Sequence, residues 1–382
     1  MRPTEPCPSR LAGESYTIEF DRPSLEAMMQ CSPLPAPAAR AARHALIASG
    51  LLLLAGCGSP AGDPGPSGDV AADPASQPSP EAGSATLEER VRSRLDALSA
   101  RSSLYAKHLP TGAEVAIRAD EPMNTLSVIK VPIMVQAFLD HASGRLDLDE
   151  RVEVAPGDMR RGSGLIQTFQ PGLNPTLRDL VTQMIITSDN TATDMVIDAV
   201  GLERVNALLE ASGYRETRLK STTGRLFLET WIRTDSTLVS LSDREVYERG
   251  FPSDPDAGQR FFEIEGDSSV WLGRTSAREM GRMLEEIHGG RLADEAASRE
   301  MVEILGGQFY TTRLPRRVRF QGVSVAHKTG DWPPYAGNDV GILFYDGGPT
   351  VISVFTNQSR GDFFELEETL GRIAEDIVGA WR

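Results

Sequence analysis

The segments of this chain that read as β-strands lie at the two ends of its folded part, and helical segments fill the interval. SLYAKHL (103–109) and EVAIRA (114–119) carry strand-forming residues around a Pro110-Thr111-Gly112 turn, which predicts a hairpin. A second hairpin is predicted from 339–345 and 350–356, joined by Asp346-Gly347-Gly348. Helices are predicted over 127–143, 176–186, 191–199, 202–212, 276–288 and 295–305, the last stopped by Gly306-Gly307. Thr86 with Glu89, and Ser276 with Glu279, have capping-box spacing, so helices should begin directly after Thr86 and Ser276. An amphipathic helix over 364–381 closes the chain. One antiparallel sheet completed by both ends, with an all-helical insertion between them, satisfies that order. This is an α+β architecture, with any site expected in the cleft between its two parts.

Composition removes several classes of function. The net charge of −15 disfavours nucleic-acid binding and an electrostatic hold on anionic lipid. Cys7, Cys31 and Cys57 all precede the folded part, which therefore has no disulfide or cysteine metal site. The histidines, at 44, 108, 141, 288 and 327, show no HxH or HExxH spacing, so no metal or other cofactor is expected.

The first 85 residues read as targeting and tether. HALIASGLLLLAG (44–56) is too short to span a bilayer, fits a signal-peptide core, and has Arg40 and Arg43 on its flank. It ends Leu54-Ala55-Gly56-Cys57, which resembles a bacterial lipobox; this implies lipidation of Cys57 and attachment to a membrane by lipid alone. Gly58 after that cysteine points to an outer-membrane, periplasm-facing address in a Gram-negative cell. Residues 1–27 fit no signal and read as an over-extended start, with 28–57 as the lipoprotein signal. Residues 58–85, rich in Pro, Gly, Ser, Ala and Asp, read as a disordered linker to a single domain at 86–382. A monomer is expected.

Three short motifs carry the chemistry. Ser127-Val128-Ile129-Lys130 sets a hydroxyl and an amine one helical turn apart at a helix start, where backbone N–H groups favour developing negative charge. A serine hydroxyl needs a base to become a nucleophile, and a desolvated lysine can be one. Ser188-Asp189-Asn190 falls between two helical stretches, where each residue type would also serve as an N-cap. Lys328-Thr329-Gly330 follows the strand-like VSVAH and is placed at a strand end. Singly each motif is weak, because such short patterns arise by chance. In this order they are the signature set of class A β-lactamases and penicillin-binding proteins.

Over about 88–382 the chain resembles the class A β-lactamase-related serine hydrolases, through SVIKVPIM, TLRDLVTQMIITSDNTATDMVID, VAHKTG and Asn338-Asp339-Val340-Gly341. The resemblance implies a five-stranded antiparallel sheet flanked by helices, with a helical subdomain across the cleft. It also implies roles. Ser127 would be acylated, Lys130 would take its proton, and Ser188 would pass a proton to the leaving nitrogen. Asn190 would bind an acylamide carbonyl, and Lys328, Thr329 and Gly330 would form the wall that meets a substrate carboxylate. The backbone N–H groups of Ser127 and Asp331 would form the oxyanion hole. The substrate would be a β-lactam, or a peptidoglycan-derived acyl donor in a D-alanyl-D-alanine peptidase or esterase of the same fold.

The sequence departs from that family in three places. No Glu-x-x-Leu-Asn stretch occurs in RLKSTTGRLFLETWIRTDSTL, where the family keeps its deacylating glutamate; Glu229 is the nearest carboxylate, either base or surface residue. That gap keeps a third reading open, a lipoprotein that stays acylated and acts as a sensor. Residues 232–272 are longer than usual and, with Trp231, hold Tyr247, Phe251, Phe261, Phe262 and Trp271, as a surface insertion or as a lid over the cleft. Asp331 would oppose a substrate carboxylate unless it points away, while Arg313, Arg316 and Arg317 are candidate cations for the same pocket.

Overall fold

A computed structural model describes residues 85–382 apart from Pro171. The expected start (1–27), the expected lipoprotein signal (28–57) with Cys57, and residues 58–84 of the expected linker lie outside the described residues. No described helix is long and apolar enough to cross a membrane.

The order of elements follows the sequence. Helix α1 (Leu87–Asp96) leads into β1 (Arg101–His108), β2 (Glu114–Ile117) and the short β3 (Met123–Asn124). Helices α2 (Lys130–Ala142), α3 (Leu177–Ile186), α4 (Asn190–Val200) and α5 (Leu202–Ala211) come next. They are followed by β4 (Arg218–Leu219), α6 (Thr223–Ile232), α7 (Asp243–Arg249), α8 (Ala257–Gly266) and β5 (Gly273–Thr275). The chain returns through α9 (Ala277–His288), α10 (Glu295–Gly306) and α11 (Pro315–Val318) to β6 (Ser324–Trp332), β7 (Ala336–Phe344), β8 (Thr350–Asn357) and α12 (Phe363–Trp381).

Both ends of the folded part do meet in one sheet, of order β2-β1-β8-β7-β6 and antiparallel throughout. Alternation along its strands sends side chains to two cores. Leu104, Ala106, Ile352 and Val354 pack with Val91 and Leu95 of α1 and Ile373 and Ile377 of α12. Their neighbours Tyr105, Val351 and Phe355 face Met280, Met283 and Leu284 of α9 and the helical part beyond. A second, three-stranded sheet, β3-β5-β4, ties the chain just before Ser127 to the segment preceding α6.

Four details differ from expectation. Ser127 is not in an α-helix: residues Leu126–Ile129 form a 3-10 turn, and α2 begins at Lys130. Lys328-Thr329-Gly330 lies inside β6, whose pairing with β7 continues to Trp332. The capping box of α1 is complete, but that of α9 is only half made. Ser276 accepts from the Glu279 N–H, while the Glu279 carboxylate instead collects the backbone N–H groups of Arg215, Glu216 and Thr217. Finally, 232–272 is ordered into α7, α8 and a 3-10 turn, and helix α6 was not expected at all.

Candidate active site

The turn that carries Ser127 is clamped from below. Leu126 takes a left-handed φ of 47°, a conformation costing about 1–3 kcal/mol in a non-glycine residue and tolerated only where neighbours enforce it. Its N–H donates to Asn124 Oδ1 (3.2 Å), and Asn338 Nδ2 donates to the carbonyls of Asn124 (2.9 Å) and Thr125 (3.2 Å). Gly330 of β6 presses directly on this turn. A Cβ there would lie 2.6 Å from Thr125 O and 3.2 Å from Val128 N, so any side chain would push sheet and turn apart. Between its buried neighbours Leu126 and Val128, Ser127 keeps partial exposure and lines the cleft.

Ser188-Asp189-Asn190 divides its work. Asp189 is the N-cap of α4, accepting from Ala192 N at 2.9 Å, and its other oxygen accepts from Ile166 N at 2.8 Å. Gly164 opposes it at φ 108°, and a Cβ there would overlap the Asp189 carboxylate. This anchoring frees the flanking residues to face the lysines. Ser188 sits at φ 56° on the turn between α3 and α4.

Two buried lysines converge on Ser188. Lys130 Nζ donates to Ser188 O (2.8 Å) and Asn190 Oδ1 (2.9 Å), and lies 3.2 Å from Ser188 Oγ. Lys328 Nζ reaches the same Oγ at 3.0 Å and the Thr329 carbonyl at 2.8 Å. Burial, followed by the neighbouring charge of Lys328, pushes Lys130 well below the ordinary lysine range. Lys328 is pushed down to about 7, chiefly by burial, against the opposing pull of Asp331 and Asp339. The Thr329 hydroxyl is buried without a hydrogen-bond partner.

The cleft encloses about 570 Å³. Asn190, Thr223, Leu226 and Phe227 are among its lining residues, as are Tyr310, Thr312, Arg313, Asp331 and Glu367. The buried Arg313 is ion-paired with Asp331 and with Glu367 (3.2 Å), and also donates to Asn338 O at 2.9 Å. Arg316 and Arg317 are not at this pocket; they pair with Glu368 and Glu375 along α12. The Asp331 carboxylate is therefore turned onto Arg313, and among the three candidate arginines only Arg313 lines the cleft.

Glu229 is not among the described residues lining the cleft. It lies on α6 with its carboxylate held by Arg225 one turn earlier, at 2.7 Å. Thr223, at the start of α6, presents itself to the cleft instead. Its N–H and hydroxyl are bound by Asp194 Oδ1 (2.7 and 2.9 Å), whose other oxygen takes Gly224 N (2.9 Å) and Arg160 Nε (2.7 Å). Thr223, Asp194 and Arg160 escaped sequence reasoning, because nothing local to any of them signals a bond to the others.

Comparison with known proteins places the fold. A β-lactamase from Sphaerobacter thermophilus is 24% identical with TM-score 0.61, covering 77% of this chain and 96% of that one. One from Chitinophaga pinensis is 18% identical with TM-score 0.63, covering 78% and 99%. PBP-A, a point mutant of which is known as an acyl-enzyme complex with penicillin G, is 20% identical with TM-score 0.59, covering 77% and 95%. These likenesses establish the fold. The β-lactamase regulatory protein BlaB of Streptomyces cacaoi is 25% identical over 138 residues, 36% of this chain and 44% of that protein, so the match spans under half of that relative. The model of the beta-lactamase enzyme family matches residues 86–381, and with the fold and the converging motifs this makes the chain a member of that family.

Proposed function

We propose that this protein is a serine acyl-transferring enzyme that opens the β-lactam amide and carries the product as an ester on Ser127. The observation that bears most weight is the pair of buried lysine amines meeting at one hydroxyl, Ser188 Oγ, with Lys130 three residues after the partly exposed Ser127. With its pKa depressed by burial, the Lys130 amine takes the proton of Ser127 Oγ as that oxygen attacks the lactam carbonyl carbon. The C–N bond breaks as Ser188 hands a proton to the nitrogen, and Lys130 returns its proton to Ser188. The N–H groups of Ser127 and Asp331 hold the developing oxyanion, where losing one donor costs about 10²–10³ in rate. Asn190 binds the acylamide carbonyl, and Lys328 with the unpartnered Thr329 hydroxyl meets the substrate carboxylate.

Release of the acyl group is the slow half in this reading. Among the described residues lining the cleft the carboxylates are Asp331 and Glu367, and both are engaged by Arg313. Neither is poised to activate water. That observation favours a long-lived acyl-enzyme, as in a penicillin-binding sensor, over rapid β-lactamase turnover.

Intact-mass spectrometry after penicillin addition tests both halves. One adduct on Ser127, absent in Ser127→Ala and strongly slowed in Lys130→Ala, is the expected result, with the adduct persisting for hours. Nitrocefin hydrolysis by Ser127→Ala would refute the acyl-serine assignment. Recovery of unmodified protein within minutes would refute slow release, and D-alanine release from a cell-wall pentapeptide would select the peptidase reading. We further propose that the domain is held at the cell envelope by lipid on Cys57, facing the periplasm. Unchanged mobility of a Cys57→Ala variant would count against it.

A further inference from the structure

One wall of the cleft is built from aromatic rings in an unbroken row. Phe227 of α6 meets Phe251 edge-to-face at 5.1 Å, Phe251 meets Phe261 of α8 at 6.4 Å, and Phe261 meets Trp332 at the end of β6 at 6.1 Å. All four rings line the cleft. Two of them, Phe251 and Phe261, come from the 232–272 segment, which is thereby part of the site wall and not merely surface. Phe251, which lines the cleft, is still 41% exposed, a large apolar ring only partly covered by the protein. The row begins next to the motif residues: the space at Gly162 lies 2.8 Å from Asn190 Nδ2 and 3.2 Å from the Phe227 ring. Arg313, Asp331 and Glu367 line the same cleft, with Asp331 directly before Trp332, and these charged side chains are ion-paired with one another.

We propose that this row makes the site selective for acyl donors bearing an aromatic or bulky apolar acyl side chain, with Phe251 and Phe261 as specificity-determining residues. The inference rests on the acyl-serine reading of Ser127. An acylamide held at Asn190 directs its substituent toward Phe227 and Phe251. There a phenyl group is removed from water and meets ring edges, whereas a charged substituent loses hydration and finds no partner on the row.

The test is the second-order rate of adduct formation, read by intact mass, for three penicillins on the full chain. Benzylpenicillin carries a phenyl side chain, an aminoadipyl penicillin a zwitterionic one, and 6-aminopenicillanic acid none. Benzylpenicillin should react about 10- to 100-fold faster than the other two, the factor expected from burying one phenyl group. Phe251→Ala and Phe261→Ala should shrink that ratio by about tenfold, while Phe320→Ala, exposed and away from the cleft, should leave it unchanged. If either alanine variant fails to fold, Phe251→Leu or Phe261→Leu replaces it, and the deciding ratio is that of benzylpenicillin to the aminoadipyl penicillin, which both carry the acylamide that Asn190 binds. Equal rates with all three donors overturn the inference and leave acylation standing. No adduct with any donor overturns the acyl-serine reading, and the inference with it.

Discussion

Replacing Asp194 with alanine should destabilise the domain by about 3–5 kcal/mol, the range for removing one partner of a buried ion pair. The structure supplies the terms. Asp194 is buried and accepts four bonds, from Thr223 N, Thr223 Oγ1, Gly224 N and Arg160 Nε. Its loss strands two backbone N–H groups at about 1–3 kcal/mol each and removes one carboxylate from a buried guanidinium. The sum is capped because Arg160 keeps Asp243 (2.6 Å) and the carbonyls of Gly157 and Met159. In a domain of this size the loss corresponds to a fall in Tm on the order of 10 °C. Asp194→Asn keeps the shape and one acceptor oxygen, so it should cost about half as much. Because Asp194 is what holds Thr223 at the cleft wall, adduct formation at Ser127 should slow in the same order, alanine below asparagine. The assay is urea unfolding with a mass-spectrometric acylation time course on each variant. A stability loss below about 1 kcal/mol for Asp194→Ala would refute the claim that this carboxylate pins the wall, since an ordinary surface change costs less than that.

Three further outcomes are expected. Glu229→Gln should change the release of the acyl group by less than about twofold, because that carboxylate does not line the cleft; a large slowing, read from adduct decay, would return Glu229 to the reaction. Asp331→Asn relieves Arg313 of one of its two carboxylates while Glu367 and the Asn338 carbonyl still hold it. Acylation by a carboxylate-bearing penicillin should then rise by about tenfold, with no comparable rise for its methyl ester; equal changes for the two would refute an electrostatic cause. Lys328 has a folded pKa of about 7, below its value in the unfolded chain, so between about pH 7 and the ordinary lysine range the unfolded state binds the extra proton. Stability should rise with pH across that window, and Lys328→Met should flatten the slope measured by denaturant titration.

The residues of the candidate site were legible where the signal is carried by short sequence spacing, and illegible where it is carried by contacts between distant segments. Ser127, Lys130, Ser188, Asn190 and Lys328 could be picked out because three separately weak motifs appear in one order. The α+β architecture could be read from strands at the two ends, since hairpin turns and period-two alternation are local. Asp189 capping α4 was equally local. Helix α6 (TGRLFLETWI) was not among the expected helices; α9 does begin after Ser276, but its capping box stays half made because the Glu279 carboxylate found three N–H groups on another segment.

What the amino-acid order determined by itself is therefore the sheet, its helical insertion and the three motifs that supply Ser127, Ser188 and the two lysines: periodicity, turn chemistry and motif spacing all act over a few residues. Tertiary structure alone decided the rest. It strained Leu126 under Ser127, buried Lys130 and Lys328 enough to depress both amines, and turned Asp331 onto Arg313. It also removed Glu229 from the cleft, and brought Phe251 and Phe261 into its wall. The physical reason is common to all of these. Desolvation, ion pairing and ring packing depend on which distant groups share a small volume, and that sharing exists only once the chain has folded.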